Sequence, residues 1–213
     1  MSTPPHPPYE AVGRTAQKAR TRDALVAAAR ELVARGVSPT VEQAAAAAAI
    51  SRTTAYRYFP SQGALLAAAH PETAARSMLS DEPPQDPAER LDQVVRAFTA
   101  MIVDTEAQQR TMLRLSLQAD PREPATLPLR QGRAISWYTE ALEPLRDQLT
   151  DAGMHRLVLA IRSATGIEAL VWLTDIAGLS RAQAVELMRW SAHSLLHAAT
   201  TKGAPPEVTP PGA

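Results

Sequence analysis

Apolar residues recur at intervals of three and four along most of the chain. Leu25, Ala28, Ala29, Leu32 and Val33 make one such stripe. Leu91, Val94, Val95, Phe98, Met101 and Ile102 make another, and Ile135, Tyr138, Leu142, Leu145 and Leu149 a third. This is the period of an amphipathic helix, and no segment alternates convincingly with the period of a strand. The pattern predicts an all-α chain of about nine helices. The first spans about Thr15 to Arg35 and is ended by Gly36. Thr40-Val-Glu-Gln43 has the form of a capping box and opens the second. The third runs from Ser51 to Phe59-Pro60, and the fourth starts at Ser61, is disturbed by Pro71 and fades into Ser80-Asp-Glu-Pro-Pro84. Asp86-Pro87, an N-cap followed by proline, opens the fifth. The sixth covers roughly Glu106–Gln118, and a loop with Pro121, Pro124 and Pro128 follows. The seventh is expected to continue past Pro144 to Leu149. The eighth, about Met154 to Ala177, is apolar on most sides and so should be buried on several. Gly178 closes it, and Ser180-Arg-Ala-Gln183 caps a ninth helix that ends near Thr200.

Proline-rich residues 1–13 and the tail 203–213 are expected to be disordered. Between them the pattern suggests an N-terminal domain over 14–66 and a larger helical domain over 67–202. Composition supports the helical reading: alanine is abundant, and aromatic residues make up 4% of the chain. Cysteine is absent, so disulfide and thiol chemistry are excluded. No uninterrupted apolar run of roughly 20 residues stands out, and the N-terminus lacks an apolar signal core, so a cytoplasmic protein without a membrane partner is expected. The net charge of zero hides an asymmetry. Residues 1–62 hold eight basic side chains against four acidic ones, a net of +4, and the remainder carries −4. A basic front on an acidic body suits a polyanion partner.

The segment 22–66 carries the strongest chemical signal. Three helices of about 20, 8 and 8 residues stand in a row, and the two short ones are joined through Ala48-Ala49-Ile50. A turn that tight gives a helix-turn-helix, whose second short helix lies in the major groove of double-stranded DNA. That helix reads Ser51-Arg-Thr-Thr-Ala-Tyr-Arg-Tyr-Phe59 and contains no acid. Arginines there suit guanine or phosphate, and the hydroxyls suit phosphate. The stretch Thr40–Leu66, with its pattern Ile-Ser-x-x-Thr-x-Tyr-x-Tyr-Phe-x-Ser-x-x-x-Leu from Ile50 to Leu65, resembles the N-terminal signature of the TetR family of regulators. The resemblance implies a homodimer that binds an operator through residues 14–66 and releases it when a small-molecule effector occupies the C-terminal domain. It implies a phosphate contact for Thr40, and base and backbone contacts for Arg52, Thr53, Thr54, Tyr56, Arg57 and Tyr58. Phe59 and Leu66 would be core. The sequence departs from that pattern at the turn, where Ala49 stands for the usual glycine. It departs also at Gln62, where a lysine is common, and at Ala44, where isoleucine is.

The C-terminal part offers weaker candidates. Phe98, Met101, Met112, Arg114, Trp137, Tyr138 and Trp172 lie on helices that could surround an effector, against the alternative that each is core or ion-paired. Gly166, Leu187, Ser191 and Leu195 are candidates for a dimer interface on the last two helices. His193 and His197 share a helical face without a third ligand, so no metal is expected. No phosphate loop, nucleophile elbow or other catalytic constellation is present in the sequence, and neither an enzyme nor a cofactor is expected. A helical ligand-binding or adaptor dimer without specific DNA binding remains the alternative.

Overall fold

A computed structural model describes residues 9–70, 76–118 and 132–207. Among these residues the chain is all-helical. Its elements are α1 (Tyr9–Ala34), α2 (Val41–Ala47), α3 (Arg52–Tyr58), α4 (Gln62–Ala69), α5 (Pro87–Asp104) and α6 (Glu106–Gln118). They continue with α7 (Arg133–Ala141), α8 (Asp151–Thr165), α9 (Ile167–Val171) and α10 (Arg181–Lys202). Counting α8 and α9 as one interrupted helix, there are nine among the described residues, as the periodicity predicts. The caps fall where the sequence puts them. Thr40 and Ser180 form capping boxes with Gln43 and Gln183. Asp86 accepts from the backbone of Ala88 and Glu89 ahead of α5, and Gly36 and Gly178 take positive φ at helix ends.

Four expectations need correction. Helix α1 starts at Tyr9 rather than Thr15; Pro8 is the last proline of the N-terminal run, and nothing after it opposes a helix. The seventh helix stops at Ala141, and Glu143–Leu145 is a 3₁₀ turn, because Pro144 cannot continue an α-helix. The eighth is broken at Gly166, and Trp172–Ile176 winds as a π-helical turn. The described tail residues are tied down: Arg156 Nε donates to the Pro205 carbonyl at 2.8 Å. The other residues expected to be disordered, 1–8 and 208–213, and the Pro71 and Pro121–Pro128 positions lie outside the described residues.

The chain divides into two compact units. In the first, α1 to α4 surround Leu25, Val26, Ala29, Val41, Ala44, Ala45, Ala55, Phe59 and Leu65. Ala44 and Ala55 are fully buried, so the alanine at the usual isoleucine position lets α2 and α3 close on each other. Leu66 is buried as expected. Arg30 of α1 donates from Nε to the Ala69 carbonyl at the end of α4 (3.1 Å).

In the second unit, α5, α7, α8, α9 and α10 enclose a larger core. Asp151–Ile176 is long and apolar enough to cross a membrane by length and composition, more than the sequence reading allowed. Here it is a core helix: Leu157, Val158, Ile161 and Leu170 are fully buried among the other helices.

Candidate nucleic-acid interface

The turn between α2 and α3 is a Schellman motif. Ile50 N–H donates to the Ala45 carbonyl (2.9 Å) and Ala49 N–H to the Ala46 carbonyl (3.2 Å). Ala49 stands at the left-handed position with φ 54°. A side chain there costs roughly 1–2 kcal/mol. Ala49→Gly is therefore expected to stabilise the first unit by about 0.5–1 kcal/mol, after the extra freedom of glycine in the unfolded chain is subtracted. Urea unfolding monitored by circular dichroism checks this; a lower midpoint for the variant would contradict it.

Helix α3 is capped by Ser51, whose hydroxyl accepts from Thr54 N–H and donates to Thr54 Oγ1. Ala55 and Phe59 face the core. That orientation leaves Arg52, Thr53, Tyr56 and Arg57 exposed together, since positions four apart share a helical face. Thr54 is half-buried, and Tyr58 packs against the core. Of the seven residues the sequence singles out, four thus make one open face, Thr54 and Tyr58 sit at its edge, and Thr40 caps the neighbouring helix.

One residue on this surface escapes sequence reasoning. Glu42 of α2 accepts a hydrogen bond from the Tyr56 hydroxyl at 2.6 Å and pairs with an Arg52 Nη at 3.1 Å, both through Oε1. The Arg52 guanidinium also lies over the Tyr56 ring, 5.7 Å from its centroid. The hydrogen bond from Tyr56 is the main reason the Glu42 carboxyl titrates below its ordinary range. The same bond holds the Tyr56 phenol above its own. Gln62, in place of a lysine, donates from its amide to the Ser38 carbonyl, the Ser38 hydroxyl and the Pro39 carbonyl (3.1–3.2 Å). It anchors the loop that leads into α2.

The C-terminal candidates scatter. Phe98, Trp137 and Tyr138 are fully buried and stacked edge-to-face, with Phe98 5.9 Å from each partner's ring centroid. Met112 is buried, Met101 half-buried, and Arg114 and Trp172 exposed. The seven thus differ in exposure, and only the three rings are brought together. Tyr138 and Thr165 hydroxyls meet at 2.7 Å; since Thr165 donates to the Ile161 carbonyl, Tyr138 is the donor between them. Gly166 is buried, with φ −85°. A Cβ there would collide with Arg162 Nη1, which pairs with Glu168 at 3.1 Å. The missing side chain makes room for an ion pair within one chain. Leu187 is exposed, Ser191 half-buried, and Leu195 leans on the core of its own chain.

An open groove of about 520 Å³ lies between α5 and α10, over Thr99, Ala100, Val103 and Val185, with Arg96, Arg181 and Arg189 around it. None of the seven expected effector residues lines it. Carboxylates engage all three arginines: Asp92 meets Arg96 and Arg189, Glu106 meets Arg181, and Glu186 meets Arg189. His193, half of the histidine pair, places Nε2 3.1 Å from Asp92. His197 is exposed.

Burial alone would raise the Asp92 carboxyl, but hydrogen bonds from Arg189, His193 and Arg96 together hold it at about 2, below the ordinary 3.8. Hydrogen bonds from Arg110 and Thr174 hold Asp175 at about 2 as well. A carboxyl with a depressed pKa contributes stability above its unfolded pKa and loses it as pH falls toward the folded value. Stability is thus expected to decline between about pH 4 and pH 2, by roughly 2 kcal/mol for Asp92 alone. Asp92→Asn should flatten that part of the profile. An identical acid profile in the variant would refute the assignment.

Residues 24–69 match the sequence profile of bacterial regulatory proteins, tetR family. No curated protein matches the chain. Among solved structures, the chain is similar to a TetR transcriptional regulator from Rhodococcus sp. RHA1. The TM-score is 0.58 at 20% identity, over 85% of this chain and 98% of that one. At this identity the likeness shows a shared fold.

Proposed function

We propose that this chain, a DNA-binding regulator of the tetR family through its N-terminal domain, is an effector-responsive repressor that acts as a homodimer. The observation that carries the reading is the open face of α3. Arg52, Thr53, Tyr56 and Arg57 are presented together on the second helix of a helix-turn-helix. Two such helices, one from each copy, fit a pseudo-palindromic operator with half-sites about one DNA turn apart. Thr40 would contact phosphate through its hydroxyl, and Arg52 and Arg57 would divide between guanine edges and phosphates.

Dimerisation is supported by the outer face of α10. Ala184, Met188, Ala192, Leu196 and Ala199 point into their own core. Leu187 and Trp190 are left exposed, as is Leu159 on α8. A second copy of the chain would cover them, in the four-helix arrangement of two helices from each partner. A small molecule bound by the C-terminal unit releases DNA only if it binds the non-binding state of the dimer more tightly.

The test is an electrophoretic shift with DNA from upstream of the protein's own gene. Arg52→Ala and Tyr56→Ala are each expected to weaken binding by roughly 1–3 kcal/mol. Affinity should fall steeply with salt as phosphate counterions are released. Unchanged binding in both folded variants would reject the recognition helix, and salt-independent binding would reject the mechanism.

A further inference from the structure

We propose that Glu42 determines sequence specificity by acting on Arg52: its carboxylate takes one edge of the guanidinium and aims the remaining donors at a single guanine in each half-site. The proposal rests on the DNA-binding reading above and adds a residue that no base contact need involve.

Three observations carry it. Arg52 is held on two sides, by Glu42 Oε1 at 3.1 Å and by the face of Tyr56 at 5.7 Å, although its own side chain is 73% exposed. A long arginine standing in water ordinarily samples many rotamers; these two contacts favour one direction among them. Next, the guanidinium carries five N–H donors in a planar fork. Glu42 occupies part of the fork, and enough donors remain for the bidentate contact with guanine O6 and N7. Finally, the charge of Arg52 is already countered. Non-specific binding comes from cations that neutralise phosphates. A paired arginine adds little to that, so its contribution is realised where a guanine is correctly placed. Glu42 also sets a negative charge beside the face that meets the DNA backbone, which disfavours loose association of any sequence. Tyr56 completes the arrangement. Its hydroxyl proton is committed to Glu42, so in this state Tyr56 offers DNA its ring rather than a phosphate donor.

The experiment selects binding sites from a random duplex library with full-length wild type, Glu42→Gln, Arg52→Ala and the double variant. The salt dependence of binding is then measured for each on the selected sequence. Glutamine keeps the size of the side chain and an acceptor for Tyr56, and removes the charge from a half-exposed position. Wild type is expected to enrich an inverted repeat with one guanine per half-site that Arg52→Ala no longer demands. Glu42→Gln should lower preference for that same guanine about tenfold, within the range a bidentate base contact supplies. It should bind unrelated DNA several-fold more tightly, with a steeper salt slope, because Arg52 is freed to neutralise a phosphate. In the double variant the loss of guanine preference should not exceed that of Arg52→Ala, since Glu42 acts through Arg52. An unchanged base preference and salt slope in Glu42→Gln would overturn the proposal, as would a change confined to a position Arg52→Ala leaves untouched. A wild type that selects no sequence at all would sink the DNA-binding reading itself, a result distinct from a wild type that selects normally while Glu42→Gln matches it.

Discussion

Replacing Trp190 with glutamate is expected to split the proposed dimer into monomers and to weaken operator binding at least a hundredfold. Trp190 is 67% exposed, and Leu187, one turn earlier on the same face, is 41% exposed. The opposite face of α10 is packed into its own core, so the helix is held rigidly and cannot turn the tryptophan inward. Covering an indole that exposed removes on the order of 150 Å² of mostly apolar surface from water, or about 4 kcal/mol per copy. In an isologous interface each residue counts twice. Glutamate at this position loses that burial in both copies and places two carboxylates where the partner must be desolvated, an unpaired burial that association cannot sustain. A monomer presents one recognition helix and reads one half-site, so the second set of contacts is lost with the dimer. Sedimentation at micromolar concentration and a gel shift check both parts. Leu187→Glu should act in the same direction, with a smaller area lost. A variant that stays dimeric would place the interface elsewhere, and a monomeric wild type would remove it.

Features specified by neighbouring residues were readable from the sequence. The caps at Thr40, Asp86 and Ser180 need only groups two or three positions away, and the stripe of Leu91, Val94, Val95 and Phe98 needs no more than a helical period. The positive φ at Ala49 follows from a turn too short for any other closure. Part of what could not be read depends on residues far apart in the chain. Glu42 reaches Tyr56 across 14 positions and turns an apparently acid-free recognition surface into one with an anion at its centre. Alanine-rich helices are the second difficulty. On α10 the apolar stripe is wide, and periodicity alone does not separate Leu187 from Met188 beside it. The fold puts Met188 in its own core and leaves Leu187 outside with Trp190, which the sequence reading passed over. Gly166 was legible only in part for a related reason: a glycine in an apolar helix signals close approach, but it does not name the group that approaches. Here that group is Arg162 of the same chain, drawn in by Glu168.

The aromatic cluster gives the second large effect. Phe98→Ala is expected to cost about 3–5 kcal/mol of stability. Phe98 has no solvent exposure and meets Trp137 at an interplanar angle of 62° and Tyr138 at 90°, both edge-to-face. The Arg162 guanidinium lies 5.5 Å from its ring centroid. Truncation thus removes two aromatic contacts and a cation–π contact besides the transferred area, and the neighbours are poorly placed to fill the void. Trp137 is fixed by its indole N–H to the Arg76 carbonyl at 3.1 Å, and Tyr138 by its hydroxyl to Thr165. A site that cannot collapse lies at the upper end of the range for such truncations. Against a total stability of about 5–15 kcal/mol for a typical protein, this is enough to leave a measurable unfolded fraction near 37 °C. Urea unfolding followed by tryptophan fluorescence reports on the same cluster through Trp137. The alternative drawn from sequence makes Phe98 a wall of an effector cavity. A wall residue bordering open space would be removed at little cost, so a loss under about 1 kcal/mol would restore the cavity reading, and a loss of the expected size assigns these three rings to the core.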